Sequence, residues 1–314
     1  MIALLIVAGF YVGWNIGAND TANCIGTSVG SGVISYRKMI YVVAFFSVLG
    51  ALLQSHNVMT TIGEGVVHNP LNLTAVLTAM ISAGVFVTMA TFFKVPVSTS
   101  QAIVGGVLGA GLSMGSGVNF AKVATIGEVW VISPPLTALI SFTLYHILAF
   151  FLRRVKMVTF WDKLLSYLVI ISGAYMAFSL GANNVGNSVG PLTVLGINKT
   201  WLALLGGVAL SIGVITYGRR VTETIGKGIT PLGPLSAVAA QTSAAMAVQF
   251  FSIIGIPVST SQAVVGAIVG VGLVKGTSTV SVGKITEIAI GWVATPTVAA
   301  LFAFLLYKVL RVLI

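Results

Sequence analysis

The sequence predicts an all-α polytopic membrane protein, folded as an inverted repeat with broken helices or re-entrant hairpins. Three observations carry that prediction. Of 314 residues, 57% are hydrophobic and 7% charged, with a mean hydropathy of +1.04, whereas a soluble domain is about 25% charged. Apolar stretches recur along the whole chain. Two polar motifs occur twice, once in each half.

Met1–Ile16, Met39–Leu53, Val131–Leu152, Leu164–Leu180, Trp201–Tyr217 and Trp292–Val309 each approach the roughly 20 residues that a helix needs to cross about 30 Å of hydrocarbon. The first lacks a basic leader and runs into a polar cluster, so it is expected as a mature helix rather than a signal peptide. The 36 glycines spread through these segments predict helices packed backbone to backbone. Cys24 is the single cysteine, which excludes an intrachain disulfide and any cysteine-based metal framework.

The formal charge of +10 does not mark a nucleic-acid partner, because the basic residues form no continuous patch. They sit between apolar segments as topology signals. Arg37 and Lys38, then Arg153, Arg154, Lys156 and Lys163, then Arg219, Arg220 and Lys227 are three basic loops that the positive-inside rule places in the cytoplasm. The expected loop from Gln54 to Asn72 holds Glu64, His56 and His68 without Lys or Arg, so it faces out. Lys308 and Arg311 fit this alternation poorly.

"GANDTANCIG" from residue 17 is answered by "GANNVGNSVG" from residue 181, an offset of 164. "TIGEGV" at 61–66, "VPVSTSQAIVGGVLGAGL" at 95–112 and "WVISP" from Trp130 are answered by "TIGKGI" at 224–229, "IPVSTSQAVVGAIVGVGL" at 256–273 and "WVATP" from Trp292. The chain therefore divides into a first repeat at 1–152, a basic linker at 153–163 and a second repeat at 164–314. Equivalent loops carry opposite charge bias: Arg37 and Lys38 are answered by Lys199 alone, and the Glu64 loop by Arg219, Arg220 and Lys227. That reversal predicts halves inverted in the membrane, a design common among secondary transporters.

Asp20 is the one acid inside a polar motif deep in an apolar region, and an intramembrane acid marks a functional site by default. With Asn19, Asn23, Asn183, Asn184 and Asn187 it offers oxygen donors suited to a small hard cation. The bland alternative for such asparagines is hydrogen-bonding glue between helices. "PVSTSQ", at Pro96–Gln101 and again at Pro257–Gln262, places proline where a helix's first turn accepts it. The expected helix N-termini then present Ser98, Thr99, Ser100 and Gln101, and Ser259, Thr260, Ser261 and Gln262, to an anion. The alternative is that these residues cap or kink two helices. The spacing of Gly105 with Gly109 and of Gly266 with Gly270 reads as packing.

These paired motifs resemble the inorganic phosphate transporter family, whose members carry a GAND-type signature in each half and a P-V-S-[ST]-[ST] motif downstream. The resemblance covers nearly the whole chain. It implies sodium- or proton-coupled phosphate uptake through a multi-pass protein of the plasma membrane, two re-entrant hairpins and a homodimer. Asp20 with Asn19 and Asn23 matches the first signature, and Asn183, Asn184 and Asn187 the second. Asn184 stands where many relatives have Asp, and Gln241 where many have Glu. Both departures remove acid and favour sodium over a proton. In this reading sodium ions at the Asp20 cluster supply the positive charge that neither motif contains, the Ser-Thr-Ser-Gln termini hold phosphate, and sodium is co-transported rather than a resident cofactor. Phosphate also keeps a proton that sulfate lacks, for which Gln101, Gln262, an asparagine oxygen or Asp20 is a candidate acceptor.

The alternatives are a proton-coupled phosphate or metal-phosphate symporter and an anion channel. A hydrolase is not expected, because a serine nucleophile needs a base and His56, His68 and His146 lie outside both motifs.

Overall fold

A computed structural model of the chain describes residues 1–93, 95, 97–152, 158–219, 222, 232–274, 276 and 281–313. In chain order the helices are α1 (Ile2–Gly30), α2 (Tyr36–Gln54), α3 (His56–Thr60), α4 (Leu73–Phe92), α5 (Thr99–Met114), α6 (Phe120–Leu152), α7 (Val158–Val189), α8 (Lys199–Tyr217), α9 (Pro234–Ile253), α10 (Thr260–Val274) and α11 (Val282–Leu313), with a π-helical turn at Thr61–Gly65 and a 3-10 turn at Gly190–Leu195. Among the described residues seven helices, α1, α2, α4, α6, α7, α8 and α11, are long and apolar enough to cross a membrane. The chain is a multi-pass integral membrane protein. Only 22% of the most apolar window is buried in α6 and again in α11, against 56% in α1, so α6 and α11 form the outer, lipid-facing layer around α1 and α7.

Leu73–Phe92 adds a span to the six apolar stretches named above. The expected outer loop is largely helical instead, as α3 and the π turn. There a Cβ on Gly63 would overlap the Gly190 carbonyl and the Thr193 hydroxyl, so the glycine lets the π turn press against the 3-10 turn. Of the expected linker, residues 153–157 lie outside the described residues, and the chain is helical again from Val158. "TIGKGI" at 224–229 and Glu223 also lie outside them.

Glycines set the crossings, and they do so reciprocally. A Cβ on Gly17 of α1 would overlap the Leu210 carbonyl of α8, and one on Gly213 of α8 the Trp14 carbonyl of α1. Gly50 of α2 and Gly181 of α7 meet Phe178 and Ser47 in the same manner. Gly105 and Gly109 of α5 lie on Pro296 and Ala300 of α11, while Gly266 and Gly270 of α10 lie on Pro134 and Ala138 of α6. Each half thus seats its short helix against the last helix of the other. Such contacts exchange a weak helix interior for close van der Waals packing.

α5 and α10, with 16 and 15 residues, are too short to span the hydrocarbon. α9 ends where Gly255 adopts φ +75°, with Gly255 N–H donating to Ser252 O (3.1 Å) and Ile256 N–H to Phe251 O (2.9 Å). The left-handed residue stops the helix, and a short extended segment then enters α10. Pro257 stands further out than expected. Ser98 and Ser259 take the cap positions, each side-chain oxygen accepting the backbone N–H of Gln101 (3.3 Å) or Gln262 (3.2 Å), and Pro257 precedes its cap rather than entering the first turn. Pro96 lies outside the described residues.

Candidate functional site

α1 runs unbroken through its polar cluster, and so does α7. Asn19, Asp20, Asn23, Asn183, Asn184 and Asn187 are each at most 1% exposed. Burying that many polar groups costs several kcal/mol unless each finds a partner.

Asn19 and Asn183 find theirs in the backbone ahead of the short helices. The Asn183 amide donates to Val258 O (2.8 Å), and its oxygen accepts from Val258 N–H (3.1 Å). Asn19 accepts from Val97 N–H (3.3 Å) and donates to Val95 O (3.2 Å) and to Thr91 Oγ1 (2.9 Å). Each clamp ties the segment entering a short helix to the long helix of its own half for Asn19, and of α7 with α10 for Asn183. Trp130 adds a third tie, its Nε1–H donating to Pro257 O (3.1 Å).

Held this way, the first turns of α5 and α10 abut. Ser100 Oγ donates to Val258 O (2.9 Å), and Ser261 Oγ donates to Val97 O (3.1 Å). Both helices aim their positive dipole ends, with the N–H groups that have no intrahelical partner, at one place. No Lys or Arg lies in either motif.

Asp20 sits at that junction and joins both halves. Its Oδ2 accepts from Thr99 Oγ1 (2.6 Å) and from Asn184 Nδ2 (2.5 Å), and its Oδ1 from Asn23 Nδ2 (3.0 Å). Asn23 also donates toward Ser261 Oγ (3.1 Å) and Thr260 Oγ1 (3.3 Å). In the other half Asn187 Nδ2 donates to Ser100 Oγ (2.7 Å), and the Asn183 amide meets Asn184 Oδ1. All fourteen residues singled out from the sequence as site candidates therefore lie in one buried cluster, with Asn19 and Asn183 in positioning roles.

Four oxygens complete it. Asn23 Oδ1, Asn187 Oδ1, Gln101 Oε1 and Gln262 Oε1 are buried acceptors that no described protein group meets. A buried acceptor left unpaired costs about 1 to 3 kcal/mol. The four form repeat-related pairs, Asn23 with Asn187 and Gln101 with Gln262. A carbonyl oxygen has nothing to donate, so its complement is a hard cation or a proton donor. Sequence reasoning missed which partners cross between halves, and it missed Thr91, whose only signal is its place in the last turn of α4.

Residues 16–303 match the phosphate transporter family. The chain belongs to that family. Transporters of this family are not enzymes, which agrees with a cluster built from amides and hydroxyls around one acid. The chain is 33% identical to a proposed phosphate permease of Methanocaldococcus jannaschii over 98% of each sequence, and 28% identical to one of Pyrococcus horikoshii over 98% and 97%. A solved structure described as the sodium-dependent phosphate transporter superposes with a TM-score of 0.89 at 28% identity, covering 100% of this chain and 99% of that one. The chain thus shares the whole fold of that neighbour.

Proposed function

We propose that this protein is a sodium-coupled phosphate symporter that works by alternating access. Phosphate lies between the N-termini of α5 and α10, held by their N–H groups and by Thr99, Ser100, Thr260 and Ser261, with Ser98 and Ser259 shaping the two turns. Sodium lies beside Asp20, with Asn23 Oδ1 and Asn187 Oδ1 as neutral ligands. Gln101 Oε1 and Gln262 Oε1 accept a hydrogen bond from the phosphate hydroxyl that sulfate lacks.

One observation carries this reading: a lone buried carboxylate stands against two convergent helix N-termini, among oxygens that have no donor. A phosphate there adds negative charge beside Asp20, and the helix ends offset only part of it. Co-bound cations supply the rest. At an effective dielectric of about 20, unit charges about 4 Å apart attract by about 4 kcal/mol, which is roughly a thousandfold in affinity. Each substrate therefore draws in the other, which is the coupling a symporter needs.

The inverted arrangement has support in the reciprocal contacts. Gln241 accepts from Ser28, eight residues after Asp20 on α1, and from Ser172, twelve residues before Asn184 on α7. Equivalent helices thus run in opposite directions past the cluster. Rocking of the halves about it gives alternating access.

The test is accumulation of radiolabelled phosphate in proteoliposomes under an imposed sodium gradient or an imposed proton gradient. Accumulation driven by sodium alone is expected. Accumulation driven only by protons makes Asp20 a proton carrier, and passive equilibration without accumulation makes the protein a channel.

A further inference from the structure

The surroundings of the cluster differ above and below it. On the side of the α1 C-terminus, Ser28 and Ser172 hydroxyls donate to Gln241 Oε1 (2.8 and 3.1 Å), and Gln241 Nε2 donates to the Cys24 carbonyl. All these groups are buried. One residue closer to the centre, Thr27 Oγ1 is buried with no described partner, as is Asn23 Oδ1 a turn further on. Oxygens thus step from Asp20 and Asn23 through Thr27 and Ser28 to Gln241, toward the face that bears Arg37 and Lys38.

The repeat supplies a built-in control. Gly173, beside Met39, Ser28 and Gln241, corresponds to Gly9, which lies beside Leu192 and Met80. Gln241 corresponds to Met80, Ser28 to Leu192, Ser172 to Ala8 and Thr27 to Pro191. The same position in the fold is closed by hydrocarbon alone on one side, and on the other by the Met39 methyl together with hydroxyls and an amide. Tyr11, Asn15 and Thr88 do form a polar ladder on that other side, but it joins α1 to α4 on the flank of Asn19 and does not replace the Leu192 contact.

We propose that Thr27, Ser28, Ser172 and Gln241 line a wettable gate that admits water and a monovalent cation between the cluster and the basic face, while Ala8, Met80 and Leu192 form a dry seal on the opposite side. Gln241 is its positioning residue. Its amide bridges α1 and α7 when the gate is closed, and its oxygen and the two serine hydroxyls offer neutral ligands to a passing ion when it opens. Met80 offers none, so opening that side exposes apolar surface to water and behaves as a dewetting constriction. The two faces of the cycle are therefore unequal. This inference rests on the reading of the cluster as a transport site.

The experiment compares Ser28→Cys with Ala8→Cys, each in a Cys24→Ala background, by the rate of reaction with a charged methanethiosulfonate reagent in detergent, in sodium without phosphate. Ser28→Cys is expected to react at least about tenfold faster, because only that gate offers hydroxyls and an amide to entering water. Adding Gln241→Met should bring the two rates together. Equal rates with Gln241 in place, or faster reaction of Ala8→Cys, overturn the proposal. Where the paired variants fail to fold, Gln241→Met alone decides through phosphate exchange in proteoliposomes. Turnover is expected to fall about tenfold at unchanged half-saturating phosphate, with Gln241→Glu retaining exchange. Wild-type exchange rates in Gln241→Met overturn the gate and leave the transport reading intact. Failure of the wild-type protein itself to exchange phosphate defeats the transport reading instead.

Discussion

The first and second halves of this protein share a scaffold and differ by a charge. In both, an asparagine grips the backbone ahead of a short helix, a serine caps that helix, and a serine two residues on reaches the opposite half. At the next position along the long helices, however, the first half has Asp20 and the second Asn184, and the amide of one donates to the carboxylate of the other. The scaffold is duplicated, while the buried charge of the cluster comes from one copy. Duplication thus fixes geometry, and divergence at one position assigns chemistry.

Removing that difference should have the largest effect. Asp20→Asn replaces a buried carboxylate that accepts three side-chain hydrogen bonds, and bonds to a charged group are worth about 1.5 to 3 kcal/mol each. Sodium-driven phosphate uptake in proteoliposomes should fall at least about a hundredfold, the equivalent of about 3 kcal/mol. Unchanged uptake with unchanged sodium dependence would remove the assigned role.

The scaffold should respond symmetrically where the charge does not. Gly17→Ala and Gly181→Ala each drive a Cβ into a backbone carbonyl of the facing helix, and overpacking of this kind costs about 1 to 3 kcal/mol. Thermal unfolding in detergent should drop by similar amounts in the two variants. A large drop in one alone would break the equivalence of the crossings. Ser98→Ala and Ser259→Ala each lose a cap worth about 1 kcal/mol, so they should lower Tm less than the glycine variants, and again as a matched pair. Glu64 and Lys199 form an ion pair of 3.6 Å with side chains 58% and 37% exposed. An exposed pair contributes about 0 to 1 kcal/mol, and Glu64→Gln should leave both Tm and uptake near wild type.

Much of this was legible before any coordinates. Composition and apolar stretches define a membrane bundle because hydrocarbon demands long apolar helices, and the twin "STSQ" runs mark helix starts because serine caps and small residues pack. What the sequence hid is pairing across the chain. Nothing adjacent to Asn23 names Ser261 as its partner, or to Ser100 names Val258, because these contacts follow from how two halves interlock rather than from local propensity. Roles were blurred for the same reason. Asn19 and Asp20 read alike as oxygen donors, yet one holds backbone and the other stands at the centre. Leu73–Phe92 lies outside the six stretches named from the sequence although no other span is more apolar, and its threonines are absorbed by i to i−4 bonds such as Thr78 to Thr74 and Thr91 to Val87.

The central claim is that sodium supplies the charge that lets phosphate bind beside Asp20. Its most direct test is calorimetric titration of phosphate into the detergent-solubilised protein at fixed ionic strength, with sodium replaced stepwise by choline. The account predicts that phosphate affinity rises steeply with sodium, by roughly a thousandfold at saturation if one ion pair of about 4 kcal/mol forms, and that Asp20→Asn flattens this dependence. Equal phosphate affinity in sodium and in choline would contradict it.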